Sequence, residues 1–174
     1  LKFIPLIPSQ ILLNNFLSDV PLLTVATDNV DEQMLKKPRR WNIGMISKFM
    51  MYFGLISSIF DLLLIGALIF LFKANTELFR TAWFLESLLS EIIVTFAIRT
   101  RLPFFKSRPS KWLIASSLIT IALSVAVTYM VFGATFFAFV KMPLTVLGLI
   151  AGILIMYFLT AEAMKIYFFK KFDI

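Results

Sequence analysis

Apolar residues gather into five long runs, at residues 4–25, 46–72, 81–98, 112–132 and 143–164, separated by short polar and basic segments. Trp112 to Phe132 holds no charged residue, and neither does Met142 to Ala161. Runs of roughly 18 or more apolar residues are long enough to cross a hydrocarbon core about 30 Å thick. A water-soluble domain can bury one such helix, but hardly several. The pattern predicts an all-α, polytopic membrane helix bundle with five transmembrane helices, forming a single domain over residues 1–174.

Composition strengthens this reading. The chain is 60% hydrophobic and 16% charged, against about 45–50% and about 25% for ordinary soluble domains. Its net charge of +7 does not mark a nucleic-acid surface, because the basic residues sit between apolar runs, where lipid headgroups lie. Thirteen of the 17 Lys and Arg fall at residues 28–48, at residues 99–111 and in the tail. The other four are Lys2, Lys73, Arg80 and Lys141, on the opposite side. The positive-inside rule then puts the N-terminus outside and the C-terminus in the cytosol, most simply across the plasma membrane. Trp41, Trp83 and Trp112 are expected as interfacial anchors near helix ends. Cys and His are both absent, so any metal handled here should be a hard cation bound by oxygen. The chain starts at Leu1 without a signal-peptide pattern, and is expected to be an excerpt from something longer.

The first run carries the most chemistry. Asn15 and Asp19 are four residues apart and project from one helix face, with Ser18 adjacent. A carboxylate inside a bilayer costs several kcal/mol unless it is paired, hydrated or coordinating an ion. Pro21 lacks an N–H, so the Leu17 carbonyl loses its helical donor and is expected to face a cavity. Carboxylate, amide, hydroxyl and freed carbonyl are oxygen ligands suited to a hard cation. A structural hydrogen bond for Asp19 and a simple kink at Pro21 are the competing reading. Asp61, with Ser57 and Ser58 one turn earlier, and Glu91, with Ser87 and Thr95 four residues to either side, are further polar stripes. Structural pairing and an ion pathway weigh evenly for both. Glu86 is expected near the outer boundary, half solvated, and Glu162 as an ordinary interfacial partner of Lys165. No Gly-rich phosphate loop, nucleophile elbow, metalloprotease helix or dinucleotide fingerprint is present, so the chain is not expected to catalyse a reaction alone.

These residues resemble a family. Leu6-Ile7-Pro8-Ser9-Gln10-Ile11-Leu12, followed by Asn15, Ser18 and Asp19, is similar to the sixth transmembrane helix of P-type cation ATPases. Asp28-Asn29-Val30-Asp31 and Lys37-Pro38-Arg39-Arg40-Trp41-Asn42 resemble the cytosolic loop that follows it, most closely in the magnesium-importing branch. Phe53 to Asp61, Phe79 to Phe84 and Ile98 to Arg101 resemble later helices of the same family. The resemblance implies that the five runs are helices six to ten of a pump, that Asn15, Ser18 and Asp19 contribute to the transport site, and that Mg²⁺ is the transported ion. It implies that ATP binds and phosphorylates domains outside this chain, which partner it along with the remaining transmembrane helices and membrane lipid. A proton-pumping P-type ATPase and a proton-coupled secondary transporter or channel subunit remain the alternatives.

Overall fold

The computed structural model describes residues 3–29 and 43–171. The basic segment 30–42, including Trp41 and its expected interfacial position, lies outside the described residues. Among the described residues six α-helices follow in order: α1 (Pro8–Thr24), α2 (Ile43–Gly66), α3 (Thr76–Ile98), α4 (Lys111–Tyr129), the short α5 (Val131–Phe137) and α6 (Leu144–Lys171). There is no strand among the described residues.

Local chemistry sets the helix ends. Pro8 opens α1, where its missing N–H costs nothing, and the Gln10 side chain accepts the Ile7 N–H at 3.1 Å. Asn75 caps α3 by accepting the Leu78 N–H at 2.9 Å, and Ser110 caps α4 by accepting the Leu113 N–H at 3.1 Å. The cap at Asn75 starts the third helix earlier than the apolar run suggested. α2 runs on through a wider π-helical turn, Ala67–Leu71. It then closes with Lys73 at a φ of 45° and the Ala74 N–H donating to Leu68 O at 2.9 Å. The fourth run divides at Met130, whose extended backbone (φ −81°, ψ 150°) separates α4 from α5. The Phe-rich connection to the last span is therefore partly helical.

Among the described residues, four helical stretches are long and apolar enough to cross a membrane: Ile43–Leu71, Thr76–Ile98, Lys111–Tyr129 and Leu144–Lys171. At 17 residues, α1 is about 26 Å long, at the lower end of spanning lengths. Large apolar side chains cover the outside. Leu62 is 65% exposed and Phe70 79%, and Met50, Leu55 and Ile59 of the same helix are exposed as well. An apolar exterior on this scale is stable against lipid, not water. This is an integral membrane bundle.

Helix α3 is the hub, packing against α1, α2, α4 and α6. One core joins α2, α3 and α6 through Phe60, Leu64, Ala82, Leu85, Ile150 and Tyr157. A second joins α1 to α3 through Leu17, Phe84, Leu88 and Ile92, with Phe139 from the segment after α5. Trp83 lies partly buried against the first core, its ring 5.4 Å from that of Phe79. It thus packs inside the bundle, whereas Trp112 is exposed at the start of α4.

Candidate transport site on the first helix

Helix α1 presents two different polar surfaces. Gln10, Asn14, Leu17, Ser18 and Pro21 are buried, a spacing of three and four that turns them toward the bundle. Asn15 and Asp19 lie on the other surface, exposed beside Phe16, Leu12 and Leu23. No hydrogen bond or ion pair ties down either side chain among the described residues. Ser18, expected beside them, is turned inward, its hydroxyl donating to Asn15 O at 3.3 Å. The three residues share one stretch of helix, but only Asn15 and Asp19 share the open face.

The inward surface is a seam of hydrogen bonds. Gln10 Nε2 donates to Phe137 O at 2.7 Å, fastening the start of α1 to the end of α5. Asn14 Nδ2 donates to Ser87 Oγ on α3 at 3.3 Å, while its buried Oδ1 has no partner. Against α4, Thr24 Oγ1 lies 2.7 Å from Ser116 Oγ, and Thr27 Oγ1 lies 3.3 Å from Ser110 Oγ. The Leu17 carbonyl, which Pro21 deprives of its helical donor, accepts the Thr120 hydroxyl at 3.5 Å. The carbonyl is therefore covered by α4, contrary to the expectation that it faces a cavity. Hydroxyls are suited to this work because they join helices where no water is available to satisfy backbone groups. A sequence signal for the seam exists: Ser116, Thr120, Ser124 and Thr128 recur every four residues, and all are buried.

The other acids lie on α2, α3 and α6. Asp61 is half-buried on α2, which packs chiefly on α6 and to a lesser extent on α3. Glu91 is exposed, and Thr95, one turn later, donates to its backbone carbonyl at 2.9 Å. Glu86 is not half solvated: it lies near the middle of α3, the helix that packs against four others, and is 1% exposed. Glu162 is also more than a surface partner. Lys165 Nζ lies 2.6 Å from Glu162 Oε1 and donates to Ala97 O at 2.9 Å, and Phe104 N–H donates to Glu162 Oε2 at 3.2 Å. At the same end of the bundle, Arg99 pairs with Asp28 at 2.8 Å and donates to Ser107 O at 2.7 Å. No group of three or more His, Cys, Asp or Glu among the described residues is arranged to hold a metal. A crevice of about 370 Å³ between α3, α4 and α6 is lined by Ile92, Phe96, Phe104, Ile121 and Phe158, with Arg99 at its edge, and offers no carboxylate.

An all-helical membrane bundle with an amide and a carboxylate on one open helix face has the makings of a cation-translocating domain. Residues 3–167 match the family described as "Cation transporting ATPase, C-terminus". The chain belongs to that family. It is 34% identical over 177 residues to "Magnesium-transporting ATPase, P-type 1" of Salmonella typhimurium (strain LT2), covering 99% of this chain and 20% of the relative. It is 33% identical to the protein of the same name from Escherichia coli (strain K12), with the same coverage. The chain thus spans about a fifth of the length of the curated relatives it matches.

Proposed function

We propose that this chain is the membrane-embedded part of an ATP-driven pump that carries Mg²⁺, with Asn15 and Asp19 supplying oxygen ligands to the transported ion. The observation that carries this reading is the open face of α1. A carboxylate and an amide stand there without hydrogen-bond or ion-pair partners among the described residues, although the opposite face of the same helix is bonded to α3, α4 and α5. Groups of this cost persist in a membrane helix when they serve an ion or another helix. The names of the curated relatives support Mg²⁺ as the cargo.

Mg²⁺ prefers near-octahedral oxygen geometry and releases its waters reluctantly. A site built from few direct protein oxygens suits it, with further ligands contributed by the remaining transmembrane helices of the pump. ATP would bind and phosphorylate cytosolic domains outside this chain. Ser18 would act from behind, its hydroxyl on the Asn15 carbonyl holding the turn that carries both ligands. The end bearing Asp28, Arg99 and Lys165 would face the cytosol, with α1 also crossing to make five spans and the N-terminus outside.

The test is ATP-driven Mg²⁺ uptake into vesicles of the full-length pump, comparing wild type with Asp19→Asn. Loss of at least about tenfold in transport, with ATP binding and folding intact, is expected for a ligand. Unchanged magnesium transport would remove Asp19 from the site, and a defect confined to proton movement would assign the pump to protons.

A further inference from the structure

Residues 27–29, just beyond the last turn of α1, are docked by their side chains onto the linker between α3 and α4. Asp28 Oδ2 accepts from Arg99 Nη1 at 2.8 Å, at the end of α3. Its Oδ1 accepts from the Ser110 N–H at 2.7 Å, at the start of α4. The Thr27 hydroxyl lies 3.3 Å from that of Ser110, and Asn29 Nδ2 donates to Arg108 O at 2.9 Å. Arg99 reaches Ser107 O at 2.7 Å through its other terminal nitrogen. One carboxylate thus joins the ends of three helices. The side chains of Arg99 and Asp28 are 2% and 8% exposed, so water competes little for bonds that charge already strengthens.

This anchor is continuous with the turn that bears Asn15 and Asp19. The Asp28 N–H donates to Val25 O at 2.9 Å, the Thr27 hydroxyl to Thr24 O at 2.7 Å and the Thr24 hydroxyl to Pro21 O at 2.7 Å. Residues 21–28 therefore form one stiff piece, and Thr24 Oγ1, 2.7 Å from Ser116 Oγ, ties that piece to α4 a second time. Pro21 brings no N–H to the Leu17 carbonyl, so the ladder of α1 lacks a rung beside Asp19. A helix bends most readily at such a break, and the direction of the turn before it then depends on where the piece after it is held. Resting on the reading of α1 as the ion-carrying helix, we propose that Asp28 is a positioning residue for cation transport. Through Arg99 and Ser110 it fixes residues 21–28, and thereby sets the place of Asn15 and Asp19. It is not itself a ligand of the same ion, because nine residues of helix separate it from Asp19 by about 14 Å. The pair of Lys165 with Glu162 is a natural control: it is buried too, but its bonds run to Ala97 O of α3 and from the Phe104 N–H of the linker.

The test is Mg²⁺ uptake by vesicles of the full-length pump at varied ion concentration, which separates KM from the maximal rate. Asp28→Asn keeps the shape and loses the charge that Arg99 answers, and KM for Mg²⁺ should rise about three- to tenfold. Arg99→Lys is a milder variant of the same contact. It keeps the charge but not the fork that reaches Asp28 and Ser107 O together, and should raise KM by a smaller factor. Lys165→Met, which breaks the pair on α6, should keep the wild-type KM whatever it does to the amount of folded pump. Wild-type KM in Asp28→Asn and Arg99→Lys would overturn the proposal. So would an equal rise in Lys165→Met, because the effect would then be general destabilisation. Asp19→Asn in the same vesicles keeps the two readings apart. Wild-type transport in that variant removes Asp19 from the ion site, whereas impaired transport there with wild-type KM in Asp28→Asn removes only the anchor.

Discussion

The hydroxyl of Thr120 on α4 lies 3.5 Å from the carbonyl oxygen of Leu17 on α1, the backbone acceptor that Pro21 leaves without its helical N–H. A proline in a transmembrane helix thus creates a vacancy in one ladder, and a neighbouring helix answers it. Thr120→Val keeps the shape and removes the donor. Stability of the full protein should fall by only about 0.6 kcal/mol, the average for hydrogen bonds between membrane helices. Mg²⁺ affinity, measured by transport at varied ion concentration, should be unchanged. A rise or fall in affinity would place the Leu17 carbonyl in the ion site.

Lys165 and Glu162 form a buried pair with two backbone contacts, to Ala97 O and from Phe104 N–H. Lys165→Met would leave Glu162 enclosed without its countercharge and should destabilise the protein by about 3–5 kcal/mol. Adding Glu162→Gln to that variant should recover a good part of the loss. Thermal unfolding of the single and double variants in detergent would reveal the coupling, and additive losses would argue against it.

The cytosol-directed end proposed above is fastened by Asp28, which accepts from Arg99 through one oxygen and from the Ser110 N–H at 2.7 Å through the other. Asp28→Asn keeps the shape but not the charge, and should cost about 1.5–3 kcal/mol. Hydrogen exchange at residues 107–110 should rise in this variant. Exchange equal to wild type would mean that the ion pair does not hold the linker.

Gly133 sits where α5 folds back on α4. A Cβ there would collide with the Val127 carbonyl, whose backbone atoms cannot swing away. Gly133→Ala should therefore displace α5 and cost about 1–3 kcal/mol or more. Because Gln10 is bonded to Phe137 O at the end of α5, the displacement should also loosen the start of α1. Thermal unfolding, together with cysteine accessibility at residue 137, would check this, and wild-type behaviour in both would contradict the close approach.

Much of this architecture is legible in the sequence. Long uncharged runs have no stable home but a bilayer, so the spans, the all-helical class and the alternation of basic ends follow from the cost of exposing backbone and charge to lipid. The helical period also places Asn15 and Asp19 on one face, because four residues nearly complete a turn. The boundaries were less legible: the break at Met130 and the π-helical turn at Ala67–Leu71 depend on local backbone geometry that apolar runs do not encode.

What only the tertiary structure decided is which way each polar group looks. Transmembrane helices are apolar nearly all round, so hydrophobic periodicity marks their inner faces weakly. The burial of Glu86, the inward turn of Ser18 and the capping of Leu17 by Thr120 depend on which helices become neighbours. Neighbours are chosen by packing across the whole bundle. The sequence by itself determined where the chain meets the membrane and which residues bring charge into it; the assembled helices determined which of those charges are enclosed and which stand open.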